Sequence, residues 1–299
     1  MLKFIIITDT HIVPNKKLCN GLDSYRRLEI AIDSVNYDHP DADFCVIAGD
    51  IADQGDVDSY IRFKELISNL KIPFYLTIGN HDNRVNFKKV FNKKYSDENG
   101  FIQNIINIKD QKIIVLDTCN ENLLGEGKLC KARLEWLSKN LKKQKKLPTT
   151  IIMHHHVSKI KSPYIDLISL ENSDDLFNIL KRHSNIRHII SGHVHINSTT
   201  CQNNIPQTTI AGNHHTYSVK NIFTPFDWPI EKIKKMYEAN ILNSKKIDKM
   251  SKDYEKLILL EGPAQYGVVL SDNISTTIHF HNYIEKNKKL PPSETKLQF

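Results

Sequence analysis

Between Phe4 and Ile78 the chain alternates short apolar runs with helical stripes, and this alternation narrows the fold more than any other feature. Residues 4–8 form a β-branched run of the kind buried on both faces of a sheet. Residues 23–35 follow a helical period, with Tyr25, Leu28, Ile32 and Val35 on one stripe. Residues 44–48 are a second buried run, 56–70 a second stripe through Tyr60, Phe63, Ile67 and Leu70, and 74–78 a third run. Strand-helix-strand-helix order implies right-handed crossovers and largely parallel pairing, the mark of an α/β fold.

The pattern then loosens. A polar loop is expected over 83–100, strands over 102–108 and 112–117, and an amphipathic helix over 133–146. Strands over 149–153 and 186–191 bracket a helix over 174–183, and 205–211 resembles another strand. Near Phe223 the composition turns lysine-rich and helical, with Ile230, Ile233, Met236, Tyr237 and Ile241 on one side. Residues 266–270 and 276–284 read as a β-hairpin around Ser271-Asp272-Asn273. The expected organisation is a catalytic domain of 1–222 with 263–286, an inserted helical arm of 223–262, and a loose tail of 287–299. The arm reads equally as a homodimer contact or a partial lid.

Composition limits the function. A net charge of +7, mostly lysine, admits an anionic substrate. No basic run is interleaved with a nucleic-acid motif, so a solvated lysine face is the simpler reading and no stable nucleic-acid partner is expected. The 5 cysteines are scattered, with no Cys-x-x-Cys, which argues for a reducing compartment. The first apolar run is too short for a signal segment, and no stretch approaches the ~20 apolar residues that span a bilayer. A cytoplasmic protein with no membrane partner is the expectation.

Five apolar runs end in metal-type residues: Asp9-Thr10-His11, Gly49-Asp50-x-x-Asp53, Gly79-Asn80-His81-Asp82, His154-His155-His156 and Gly192-His193-x-His195. Open α/β sheets bind ligands at the carboxyl ends of their strands, so five clusters at one end of a sheet can converge. Asp9/His11 and His193/His195 are alternate residues, which point the same way on extended backbone. Carboxylate, imidazole and amide oxygen together suit Zn, Mn or Fe. Seven or eight ligands exceed one tetrahedral zinc but suit two divalent metal ions ~3.5–4 Å apart, which clamp a phosphate and lower the pKa of water. Singly, Asp9 and Asp53 read better as caps and His193 as a satisfied histidine; the coincidence of five strand ends favours the metal reading. Gly79 is expected to let the backbone turn.

As an ordered set these motifs resemble the calcineurin-like metallophosphoesterase superfamily over about residues 1–215. The Asp9-Thr10-His11 start, the Gly79-Asn80-His81-Asp82-Asn83-Arg84 stretch and the segment from His154 through Asp166 to Leu170 and Asn172 resemble its class III cyclic-nucleotide phosphodiesterase and glycerophosphodiesterase branch. The resemblance implies a four-layer αββα sandwich, here with a helical insertion near the C-terminus. It implies that Asp9, His11 and His195 bind a first metal, that Asp50 bridges, and that Asn80, His154 and His193 bind a second. His81 is then a non-ligand that contacts the phosphate with Asn80 and protonates the leaving group, oriented by Asp53 or Asp82. The family's prolines after the His154 cluster are replaced by His156-Val157-Ser158, which leaves His155 as the alternative ligand. His214 and His215 follow another strand end, and His215 is a candidate substrate contact. Arg84 reads as a surface arginine rather than a phosphate contact.

The expected function is hydrolysis of a small anionic phosphodiester, such as a 3′,5′-cyclic nucleotide. A phosphomonoesterase, nucleotidase or glycerophosphodiesterase with the same metals is the alternative. A non-catalytic scaffold should have lost ligands or His81, and a nuclease resting on Lys142, Lys143, Lys145 and Lys146 would need a basic groove at the metal site.

Overall fold

A computed structural model describes residues 1–123, 125–162, 165–217, 259–260 and 264–284. Leu2–Ile7 (β1), Phe44–Ala48 (β2) and Phe74–Thr77 (β3) pair in parallel, joined by the helices Ser24–Asp38 (α1) and Val57–Ile67 (α2). Asp23 and Asp56 cap these helices, their carboxylates accepting from the backbone N–H groups of Arg26 (3.0 Å) and Ser59 (2.9 Å). Arg84–Phe91 (α3) follows inside the expected polar loop. Asn83 caps it, and Phe87, Val90 and Phe91 are buried.

The second sheet starts with an antiparallel hairpin, Asn104–Ile108 (β4) and Gln111–Leu116 (β5). Lys131–Lys142 (α4) leads to Thr149–Met153 (β6), and Ser173–Leu180 (α5) leads to Ile186–Ser191 (β7), both strands adding in parallel. Ser198–Gln202 (β8), which the sequence pattern does not announce, pairs with Ile205–Thr209 (β9) at the edge. Thr216–Tyr217 (β10) and Leu259–Leu260 (β11) make a separate pair. Ala264–Ser271 (β12) and Thr276–Ile284 (β13) return to the first sheet beside β1. The orders are β13-β12-β1-β2-β3 and β4-β5-β6-β7-β9-β8. The arm at 223–262, apart from β11, and the tail at 287–299 lie outside the described residues.

The period of two along each strand sorts side chains into three apolar layers. Ile5, Ile7, Cys45 and Ile47 face Leu28, Ile32, Tyr60, Phe63 and Phe87 of the helices. Phe4, Ile6, Phe44 and Val46 face Ile113, Val115, Ile152 and Ile190 of the other sheet. On that sheet's far side, Ile114, Ile151 and Ile189 meet Trp136, Leu137, Leu176 and Leu180. The chain is thus a mixed α/β sandwich of helices, two sheets and helices. The five polar strand ends therefore belong to two facing sheets rather than one.

Candidate metal centre

The loops that follow β1, β2, β3, β6 and β7 are bound to one another by hydrogen bonds of their backbones and of two carboxylates. The N–H groups of Asp9 and His11 donate to the carbonyls of Gly49 (3.1 Å) and Asp50 (3.0 Å), and Gly192 N–H donates to His154 O (3.1 Å). Across the sheets, His193 N–H donates to the Asp9 carboxylate (3.0 Å). Asp82 holds the β2 and β3 loops together. It accepts from the backbone N–H of Ile51 (3.1 Å), Ala52 (3.0 Å) and Gly79 (2.9 Å) and from Tyr60 OH (2.9 Å).

The backbone at these loops is not extended. Asp9, His11, Asp50, His193 and His195 have φ of 56°, 44°, 48°, 72° and 52°. The alternate-residue pairs are therefore brought round by left-handed turns, not by strand alternation. Such residues are uncommon there and cost of order 1–3 kcal/mol each, so neighbouring bonds must hold them. Gly79 also differs from expectation: a Cβ there would collide with Oδ1 of Asp50 and Cδ2 of His154, so it serves close approach.

Seven side chains meet in two adjoining groups. His154 Nε2 lies 3.2 Å from Asp50 Oδ2, from Asn80 Oδ1 and from His193 Nδ1. His11 Nε2 lies 3.3 Å from His195 Nε2 and 3.8 Å from Asp50 Oδ2, and His195 Nε2 is 3.4 Å from Asp9 Oδ1. Asp50 thus reaches both groups. In each imidazole the other nitrogen is already committed to an oxygen. His154 Nδ1 donates to Ala48 O (2.9 Å), His193 Nε2 to Ile168 O (2.9 Å), His195 Nδ1 to His215 O (2.9 Å) and His11 Nδ1 to Asp53 Oδ1 (3.1 Å). A carbonyl cannot donate, so these bonds place the proton on the outer nitrogen and leave a lone pair on the inner one. Lone pairs of imidazole, amide and carboxylate then face one another at contact distance, in a buried place where only a cation or a proton relieves them. This donor set fits divalent metal ions.

The electrostatics agree. Burial opposes a charge on His11 and His154, yet the Asp53 hydrogen bond and nearby carboxylates raise His11 to about 9, and Asp50 raises His154 to about 9. Burial would raise Asp50, but His154 and His81 hold it well below the usual carboxylate range. Burial and neighbouring imidazoles push His193 well down, and burial lowers His195 to about 4. Burial and the Asp50 charge push Asp82 up to about 6.

His81 stands at the open side, its side chain 38% exposed. Its Nδ1 donates to the Asp53 carbonyl (2.8 Å), with the Asp53 carboxylate at 3.8 Å; Asp82 is occupied elsewhere. His215 is buried and stacks on His195, ring centroids 4.1 Å apart. His155 pairs its Nδ1 with the Thr118 hydroxyl (2.7 Å), and its ring lies 4.7 Å from that of His193, so it sits beside the second donor group with a ligand atom within 4.8 Å of those of His154 and His193. Arg84 is neither a free surface arginine nor aimed at the site, because its Nε and Nη2 grip Asp117 at 3.0 Å each. Lys142, Lys143, Lys145 and Lys146 precede β6 whereas His154 follows it, a strand's length of about 17 Å away.

Sequence reasoning missed two supports. Arg27 of α1, buried, donates to the carbonyls of Asn213 (3.0 Å) and His214 (2.6 Å), just before the carbonyl of His215 that orients His195. The buried thiol of Cys19 donates to Asp53 Oδ1 (3.2 Å). A charged residue on the apolar side of the α1 stripe was the available signal for Arg27; Cys19 had none.

Comparison with known proteins adds four findings. The calcineurin-like phosphoesterase family matches residues 2–197. A probable cyclic nucleotide phosphodiesterase of Rhodopseudomonas palustris is 34% identical over 65% of this chain and 72% of its own length. A probable glycerophosphodiester phosphodiesterase GpdQ of Arcobacter nitrofigilis is 33% identical over 70% of this chain and 77% of its own. A dimetal phosphatase from Danio rerio shares the fold, with a TM-score of 0.63 at 13% identity over 98% of this chain and 99% of that one.

Proposed function

The chain belongs to the calcineurin-like phosphoesterase family, a family of phosphoric ester hydrolases, and from that premise we propose that it is a di-metal phosphodiesterase acting on a small phosphodiester such as a 3′,5′-cyclic nucleotide. The observation that carries the reading is the buried set of inward lone pairs whose outward protons are all committed. Asp9, His11 and His195 would hold one divalent ion, Asn80, His154 and His193 the other, with Asp50 shared. Mn, Fe or Zn suits these donors. Such ions supply Lewis acidity toward a phosphoryl oxygen and lower the pKa of water.

The chain's own groups divide the remaining work. Backbone carbonyls and Asp53 fix the orientation and tautomer of the four imidazoles, so the site is preorganised. Asn80 and His81 lie next to each other at the open side, where a phosphoryl oxygen would meet them. The Asp53 carbonyl holds Nδ1–H of His81, which leaves Nε2 to carry a proton toward the departing alkoxide. Asp53 is the orienting partner in this reading, and His215 lines the pocket beside His195.

The relatives' names support diester substrates over monoesters, and the glycerophosphodiester relative keeps that class as the second reading. The lysines at the far end of β6 do not make a basic groove at the site, which weighs against a nuclease. None of the five cysteines forms a disulfide, which fits a cytoplasmic enzyme; among the described residues no helix is long and apolar enough to cross a membrane. The test is hydrolysis of bis(p-nitrophenyl) phosphate with Mn, followed by a panel of cyclic nucleotides, glycerophosphodiesters and monoesters. Activity should vanish in Asn80→Ala. No turnover by the wild-type protein with any divalent ion overturns the reading.

A further inference from the structure

One element beside the site belongs neither to the metal donors nor to the proton donor. Cys19-Asn20-Gly21-Leu22 closes on itself: Cys19 N–H donates to Leu22 O (2.9 Å) and Leu22 N–H to Cys19 O (2.8 Å). Both central residues are left-handed, Asn20 at φ 48° and Gly21 at φ 76°. Asn-Gly is the pair such a tight turn favours, because neither residue resists that backbone. The turn is closed by its own backbone and is also tied to the site. The Cys19 thiol donates to the same Asp53 oxygen that accepts His11 Nδ1–H. Asn20 Nδ2 lies 3.5 Å from Nδ1 of His215, whose ring stacks on His195. A fixed carboxamide therefore stands one imidazole away from the first donor group, at the edge of the site.

We propose that this turn is a specificity wall, in which Asn20 beside His215 hydrogen-bonds a hydroxyl on the alcohol portion of the ester. This rests on the diesterase reading above. The donor groups and His81 account for the phosphoryl end of any ester, and they cannot tell one alcohol from another. A carboxamide offers a donor and an acceptor together, which matches a sugar or glyceryl hydroxyl. An aryl ester has no such group to engage it.

The test compares substrates with and without that hydroxyl in wild type and Asn20→Gly. Glycine accepts the left-handed backbone, so this change removes the amide and spares the turn. For adenosine 3′,5′-cyclic monophosphate and glycerophosphoethanolamine, whichever the wild type turns over, kcat/KM should fall about 3- to 10-fold, mostly through KM. For bis(p-nitrophenyl) phosphate it should stay within about twofold. An equal fall for both kinds of substrate means that the turn only supports the fold, and no change for either means that Asn20 touches neither; each result overturns the proposal. Wild-type hydrolysis of bis(p-nitrophenyl) phosphate but of neither hydroxyl-bearing ester also overturns it and leaves the diesterase reading intact. Failure of the wild type on bis(p-nitrophenyl) phosphate with every divalent ion contradicts the diesterase reading itself.

Discussion

The space between the two sheets and the crown of loops at its end are built on the same strands and buried to the same degree. In the first, Phe4, Ile6, Phe44, Val46, Ile152 and Ile190 are extended, apolar and mutually satisfied. In the second, Asp9, His11, Asp50, His193 and His195 are left-handed and turn acceptor toward acceptor. Burial is therefore not what separates structure from function here. The crown crowds acceptors at contact distance, and the sheets' apolar seam supplies the stability that lets such loops persist.

After the loss expected in Asn80→Ala, the largest effect should come from His81. Its replacement by Ala should lower kcat on the order of 10²- to 10⁴-fold and leave the urea midpoint in place, since the ring is partly exposed. A matching loss of stability would erase the contrast between crown and seam. Phe44→Ala is the reciprocal case. Phe44 stacks on Phe4 with centroids 4.9 Å apart, and its loss should remove about 3–5 kcal/mol in urea denaturation while the folded fraction keeps its metal content.

Asp53→Asn sharpens the comparison within the crown. With the charge beside His11 Nδ1 gone, calorimetry should show one equivalent of Mn bound about 10- to 100-fold more weakly and the other unchanged. A further effect is pH-dependent. His11 and His154 titrate at about 9 in the metal-free protein, so below that pH each holds a proton that an ion must displace. Apparent Mn affinity should fall as pH falls from about 9 toward 6, by up to about tenfold per unit for each proton displaced, and level off above 9. A flat profile would place the protons elsewhere.

The seam was legible because β-branched runs of four to six residues have few other uses, and their polar terminators followed directly. Helix α3 was hidden: its stripe of Phe87, Val90 and Phe91 spans little more than one turn among Asn and Lys residues, so the segment looks like a polar loop. β8 escaped because an edge strand with mostly exposed Ser, Thr and Gln carries no apolar alternation. At the site, residue types were readable and their geometry was not. No pattern in the sequence distinguishes Asp53 from Asp82; the difference is that four donors already surround Asp82. His154 and His155 likewise part only in space, where His154 Nε2 meets Asp50 and Asn80 while His155 Nδ1 meets Thr118. Arg27, Cys19 and Asn20 matter through long-range contacts, which local periodicity does not encode.

The central claim is that the crown is an acceptor cluster made for two cations. Titration of metal-free protein with Mn, followed by electron paramagnetic resonance, tests it most directly. The account predicts two equivalents bound per chain and one in His154→Ala. Fewer than two in the wild-type protein, or the same stoichiometry in the variant, would contradict it.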